Sequence, residues 1–306
     1  MRTTAIDVRK IAGHRAYSWK EWGSLIFQLG KMKISLLATL SAATGYLLAT
    51  GRISIHILAP ATGVFLLACG SCAFNQYQER KIDGSMVRTR SRPIPSGRLN
   101  PGTALSISLG LILSGLAILL CGANKIALCL GLLAAAWYNG IYTPLKQRTA
   151  FAAIPGALIG AIPPALGWAS GGGSLLDPRI WALALFFFIW QVPHFWLLLV
   201  DFSKDYELVG LPAITKTFST RQIKRILFVW LLSAGVCSLI LSTFGLLYSF
   251  FCYPVLMVPA FWLFWNVALF LRCPGRPVSF NTMYARLNGY VIVIISLLAF
   301  SKLFGS

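Results

Sequence analysis

The chain carries eight acidic residues, and five of them, Glu79, Asp83, Asp201, Asp205 and Glu207, fall in two short segments. Asn75, Glu79 and Asp83 are spaced i, i+4, i+8, so on a continuing helix they share one face. Asp201 and Asp205 repeat the i, i+4 spacing in the second segment. Like charges one helical turn apart repel each other, and an ionised group facing lipid costs about 2.5–3.5 kcal/mol. Such pairs persist where they face a polar cavity with a cation. The cation suited to these hard oxygen donors is Mg2+, which binds through one or two carboxylates together with water and substrate phosphates. Two carboxylate sets across one cavity would bridge a diphosphate through two ions. The competing reading is that these acids only neutralise loop arginines at an interface.

Basic residues complete the pattern. Arg80, Lys81, Arg88, Arg90, Arg92 and Arg98 follow the first acids, and Lys146 and Arg148 lie beside Tyr142. Arginine forks match phosphate oxygens in pairs. Each of these residues also suits a plain role as a charge anchor beside the membrane. Arg88, Arg92 and Lys146 have the stronger case for phosphate from the stretches they sit in.

The elements that must carry these groups are membrane helices. Of 306 residues, 57% are apolar and 11% charged, against roughly 25% charged in soluble domains. Runs long enough to span a bilayer occur near 34–50, 55–77, 103–122, 125–142, 151–169, 179–200, 226–246, 250–271 and 287–304. With the N-terminus inside, 23 of the 27 Lys and Arg fall on the inner side, and Arg52, Lys125, Arg179 and Lys302 are the other four. That bias predicts a multi-pass protein with a cytoplasmic N-terminus. The net charge of +19 therefore belongs to membrane topology and not to nucleic-acid binding, since no separate basic domain exists. The expected fold is an all-α integral membrane protein, with about nine transmembrane helices bundled around a central cavity open to the cytoplasmic side. Residues 1–32 read as a basic cytoplasmic lead and 33–306 as the membrane domain. The two long inward loops, 78–102 and 201–225, each follow the second helix of a four-helix set, which hints at an internal repeat. Cys69 and Cys72 form a C-x-x-C with no second pair at zinc spacing, so packing is the expected role. Pro163 and Pro164 should kink the fifth helix, and Gly156 and Gly160 permit close helix approach.

A prenyl diphosphate needs these parts: a lipid-accessible apolar pocket, cations for the leaving diphosphate, and shelter for an allylic cation, with aromatic faces beside it. A transporter is the alternative from a different class, but the outer side is nearly bare of polar groups, with Asp177 its one acid.

The stretch NQYQERKIDGSMVRTRSRP (75–93) resembles the first acidic motif of the UbiA-type intramembrane prenyltransferases. The M-x-R-T-x-x-R-P within it is similar to the protohaem IX farnesyltransferase branch. YTPLK (142–146), IPPALGW (162–168), WQVPHF (190–195) and DYELVGLP (205–212) agree with that branch, and KMKISLLATL (31–40) more weakly, with Met32 where proline is usual. The resemblance spans roughly 31–304. It implies Mg2+ as cofactor, farnesyl diphosphate and haem b as substrates, a hydroxyethylfarnesyl product, a bacterial inner membrane, and partners in haem-copper oxidase assembly or haem A synthesis. It departs from the pattern at Glu79, where aspartate is usual, and at Lys81, where a further aspartate is common. A UbiA-type enzyme with a quinone-precursor acceptor stays as the same-chemistry alternative. The expected roles are Asn75, Glu79 and Asp83 on one Mg2+, Asp201 and Asp205 on a second, and Arg88, Arg92 and Lys146 on the diphosphate. Tyr142 would lie near the leaving group or the cation. His194 would ligate haem iron or move a proton; a plain helix hydrogen bond is its competing role.

Overall fold

In lipid the backbone must satisfy its own hydrogen bonds, so apolar runs of this length become helices. The computed structural model describes residues 17–247, 252–272 and 279–304. Among them, nine helices are long and apolar enough to span a membrane. A short helix, α1 (Trp19–Leu29), precedes the first span. Ser18 and Glu21 cap it reciprocally, which satisfies backbone donors that have no partner at a helix start. The spans begin with α2 (Met32–Thr50), α3 (Leu58–Ser85), α4 (Pro101–Gly122) and α5 (Lys125–Ala136). They continue with α6 (Leu158–Ser170), α7 (Pro178–Asp201), α9 (Thr220–Thr243), α10 (Cys252–Arg272) and α11 (Phe280–Phe304), and a short helix that does not span, α8 (Ser203–Leu208), follows α7.

Three elements run past the apolar runs that announce them. α3 continues eight residues beyond 77, because Glu79 and Asp83 are buried against other chain segments and not in lipid. α9 starts at Thr220, ahead of the run at 226, where Ser219 and Gln222 form a second capping box. α11 starts at Phe280, ahead of 287. The eighth run, 250–271, begins at residues outside the described ones. Pro163 and Pro164 both lie inside α6, and the helix break in the fifth span falls earlier, at Ala157, between the short turn Ala153–Gly156 and α6.

Packing divides the bundle into two halves. One core is built from α2 to α6 around Val64, Leu67, Leu119 and Leu166. The larger is built mainly from α7, α9, α10 and α11 around Phe186, Leu231, Leu263 and Ile294, with Leu48 of α2 and Trp168 of α6 joining it. The outer faces keep large apolar side chains exposed, such as Leu113, Trp181 and Phe261, as a lipid-facing surface requires. α2 crosses α6 with almost no gap. A Cβ added to Gly167 would sit 1.7 Å from the Ala42 carbonyl oxygen, and one at Gly45 would sit 2.0 Å from that of Pro164. Bare backbone at both positions lets the helices meet.

α5 passes into a π-helical turn, Trp137–Tyr142, just before Pro144. Proline lacks the N–H that would continue the ladder, and a π-bulge absorbs the lost bond. This turn puts Tyr138 and Tyr142 on one wall of the central chamber. α1 lies over the same end of the bundle. Gln76 donates its Nε2 to the carbonyls of Gln28 and Leu29, both at 2.9 Å, and Arg98 reaches the Gln28 Oε1 at 2.9 Å.

Candidate active site

A chamber of about 410 Å³ opens at the end of the bundle where α3 finishes. Glu79, Asp83, Arg88, Arg92 and Lys146 line its head, and Val64, Leu67, Ile162 and Leu166 line its deeper part. It is thus a polar, charged mouth above an apolar shaft.

The α3 acids lie on one face and are nearly inaccessible, Glu79 at 6% and Asp83 at 3% exposure. Each is held by a cation from another part of the chain. Lys146 Nζ lies 2.7 Å from each Glu79 carboxylate oxygen. Arg92 Nη1 donates to Asp83 Oδ2 at 2.6 Å. Burial is the largest single influence on the Lys146 pKa and lowers it, but Glu79, Tyr142 and Tyr206 together outweigh it and the net direction is upward. Removing one member of a buried ion pair strands the other, so the pairs also fix the loop that follows α3. Thr89 Oγ1 donates to the Asp83 carbonyl at 2.9 Å and pins that loop from inside.

Asn75 sits one turn before Glu79 and is fully buried. Its Oδ1 accepts from Lys31 Nζ at 3.3 Å, and its Nδ2 donates to Thr143 Oγ1 at 3.1 Å. Lys31 and Thr143 are site residues that the sequence analysis did not single out, although both lie in stretches it quotes. Lys31 has φ 46°, the one positive φ outside glycine among the described residues. A left-handed lysine costs roughly 1–2 kcal/mol, and here it turns the chain between α1 and α2 so that the ammonium enters the chamber. Burial, then the charges of Arg92 and Lys146, hold its pKa down at about 8.

Tyr142 is clasped between aromatic faces, its ring 5.7 Å from Tyr138 and 5.4 Å from Phe195, both stacked. Gly156 makes room for it, since a Cβ there would lie 2.5 Å from the ring. Gly156 and Gly160 thus admit side chains, Tyr142 and Gln191, and not a neighbouring helix backbone.

The second acidic segment stands differently. Asp201 is exposed at the end of α7, and Asp205, on α8, accepts from the Arg88 backbone N–H at 3.3 Å. Neither lines the chamber. The Arg88 guanidinium covers the Phe202 ring at 4.4 Å, so the two loops touch at Arg88. Among the described residues no three His, Cys, Asp or Glu side chains gather closely enough to hold a metal by themselves. Cys69 and Cys72 are buried and free. Asp177 caps α7, accepting from the Arg179 N–H at 2.9 Å.

His194 lines the chamber wall. Its Nδ1 lies 2.8 Å from Asn288 Oδ1 on α11, and the Trp190 and Tyr284 rings flank it at 4.9 Å each.

A helical bundle with a chamber of this build is the architecture of an intramembrane group-transfer enzyme, and comparison with known proteins agrees. A model of the UbiA prenyltransferase family matches residues 36–285, and the chain belongs to that family. It is 36% identical to the protoheme IX farnesyltransferase of Geobacter sulfurreducens over 262 residues, 86% of this chain and 93% of the relative. It is 38% identical to a protein of the same name from Oleidesulfovibrio alaskensis over 216 residues, 71% of this chain and 76% of that one. Its fold is similar to that of a solved UbiA homologue from Archaeoglobus fulgidus bound to GPP and Mg2+. The TM-score is 0.66 at 14% identity, over 91% of this chain and 99% of the other.

Proposed function

We propose that this chain transfers the farnesyl group of farnesyl diphosphate to a vinyl side chain of haem b, giving haem O. The observation that supports it most is the buried Glu79 and Asp83 pair at the head of an apolar chamber, in a chain similar over most of its length to protoheme IX farnesyltransferases. In the reaction the C1–O bond of farnesyl diphosphate breaks and diphosphate leaves with the electron pair. The vinyl π pair of the porphyrin forms the new bond to C1. The cation left on the carbon next to the ring takes the oxygen of water, and a proton is released.

The donor set fits Mg2+: hard oxygens on one helix face, too few for an all-protein cage and right for an ion shared with phosphates. Asn75, Glu79 and Asp83 would hold it, and when bound it neutralises charge on the departing diphosphate. Asp201 and Asp205 are proposed for a second ion, with the Asp205 contact to Arg88 as their link to the site. Lys146, Arg92 and Arg88 would pass from their present partners to phosphate oxygens. Tyr142, held in its aromatic stack, would lie near the leaving diphosphate or the allylic cation. The acidic end would face the cytoplasm of a bacterial inner membrane, as the 23 basic residues assigned to that side suggest.

Gly156→Ala should push the Tyr142 ring from its stack and lower turnover about 10- to 100-fold, the scale of an ångström of misplacement. The thermal midpoint should fall as well, since the displaced ring is stacked between Tyr138 and Phe195. Steady-state rates alongside a detergent melting curve check both halves. The function itself is tested by incubating membranes holding the chain with haem b, farnesyl diphosphate and Mg2+. The porphyrin product should be heavier by one farnesyl group and one hydroxyl. An unchanged porphyrin, with farnesyl found on a quinone precursor supplied in parallel, would reject the acceptor.

A further inference from the structure

The prenyl chamber leaves a second space unexplained. A cavity of about 600 Å³ lies between α2, α6, α7 and α11, beside the first. None of the chamber's acids lines it, and its walls are apolar, with Leu37, Phe187, Ile292 and Ile295 among them. Its two cations, Lys31 and Lys33, both stand at the α2 start, so the positive charge is confined to one edge. The shape and charge suit a flat apolar body with anionic groups on a single side. His194, Gln191 and Tyr284 line both spaces and form the wall between them.

The tautomer of His194 follows from its neighbours. Asn288 Nδ2 donates to the Tyr284 carbonyl at 2.9 Å, which fixes the amide so that Oδ1 faces the imidazole. An oxygen there accepts, so His194 Nδ1 carries the proton and Nε2 keeps its lone pair. Among the described residues no group bonds Nε2. An imidazole oriented by a hydrogen bond at one nitrogen and bare at the other is the arrangement of a metal ligand.

We propose that this second cavity seats the haem acceptor, with His194 Nε2 as ligand to the iron and Lys33 as partner of a propionate. The proposal rests on haem b being the acceptor. Because His194 stands in the shared wall, a haem ligated there lies next to the prenyl chamber.

The test is a titration of the purified full chain with ferric haem b, followed by the Soret band. The parent should bind saturably with a histidine-ligated spectrum. His194→Ala should lose that signature and bind at least tenfold more weakly, and Asn288→Leu should weaken binding about tenfold by freeing the ring. Lys33→Ala should weaken haem b but not its dimethyl ester, which lacks the carboxylate charges. Ile292→Trp, which fills the cavity, should block haem while farnesyl diphosphate still binds, and that retained binding shows each variant is folded. A His194→Ala spectrum and affinity equal to the parent's would overturn the site while haem turnover by the parent keeps the function. A parent that neither binds nor prenylates haem would overturn both.

Discussion

Asp83→Asn is expected to lower farnesyl transfer on the order of 10³-fold, the scale on which one element of transition-state electrostatics is lost, and to leave the protein folded. Asparagine keeps the shape and still accepts from Arg92, whose side chain is 20% exposed and reaches solvent. What disappears is a negative charge that is 5% exposed and faces the head of the chamber. The Thr89 bond is to the backbone carbonyl of residue 83 and survives the change. Rates of haem O formation, measured with the helical circular dichroism of the variant in detergent, separate loss of chemistry from loss of fold. A variant that is folded and transfers at the parent rate would remove Asp83 from the site.

The largest effect on stability is expected away from the charges. Gly167→Ala should destabilise the bundle by about 3 kcal/mol or more, the upper end for overpacking, because the added methyl would meet the Ala42 carbonyl at 1.7 Å. Backbone cannot rotate away as a side chain can. The only relief is to separate α2 from α6, and α2 carries Lys31 at its start while α6 carries Pro163 in the chamber wall. The thermal midpoint in detergent should fall, and diphosphate affinity should fall with it. An unchanged midpoint would contradict the close crossing.

These two positions differ in how visible they are in the sequence. The spacing of Asn75, Glu79 and Asp83 announces a shared face as soon as the helix is allowed to continue, and the structure continues it to Ser85. The membrane spans are equally legible, because lipid imposes long apolar runs. Partners far apart in sequence are not. Nothing local ties Lys146 to Glu79, 67 residues away, or His194 to Asn288, 94 residues away. Gly167 reads as one small residue among many, while the glycine pair that local spacing does mark, Gly156 and Gly160, serves side-chain fit. Lys31 was hidden for another reason: a left-handed turn brings its ammonium to Asn75, 44 residues away, and no window of sequence contains that contact. Asp201 and Asp205 show the opposite case. Their spacing is as suggestive as that of the first set, but α7 ends at Asp201 and a separate short helix carries Asp205, so regular spacing does not extend across the break.

The central claim is that the α3 acids hold an ionised diphosphate through a divalent cation. It is tested most directly by electron paramagnetic resonance of Mn2+ with the purified protein and a non-hydrolysable farnesyl diphosphate analogue. The account predicts a bound Mn2+ signal with phosphorus coupling in the parent, its loss when Glu79→Gln and Asp83→Asn are combined, and a weaker signal when Asp201→Asn and Asp205→Asn are combined. A phosphorus-coupled signal of full strength after the first pair of substitutions would contradict it.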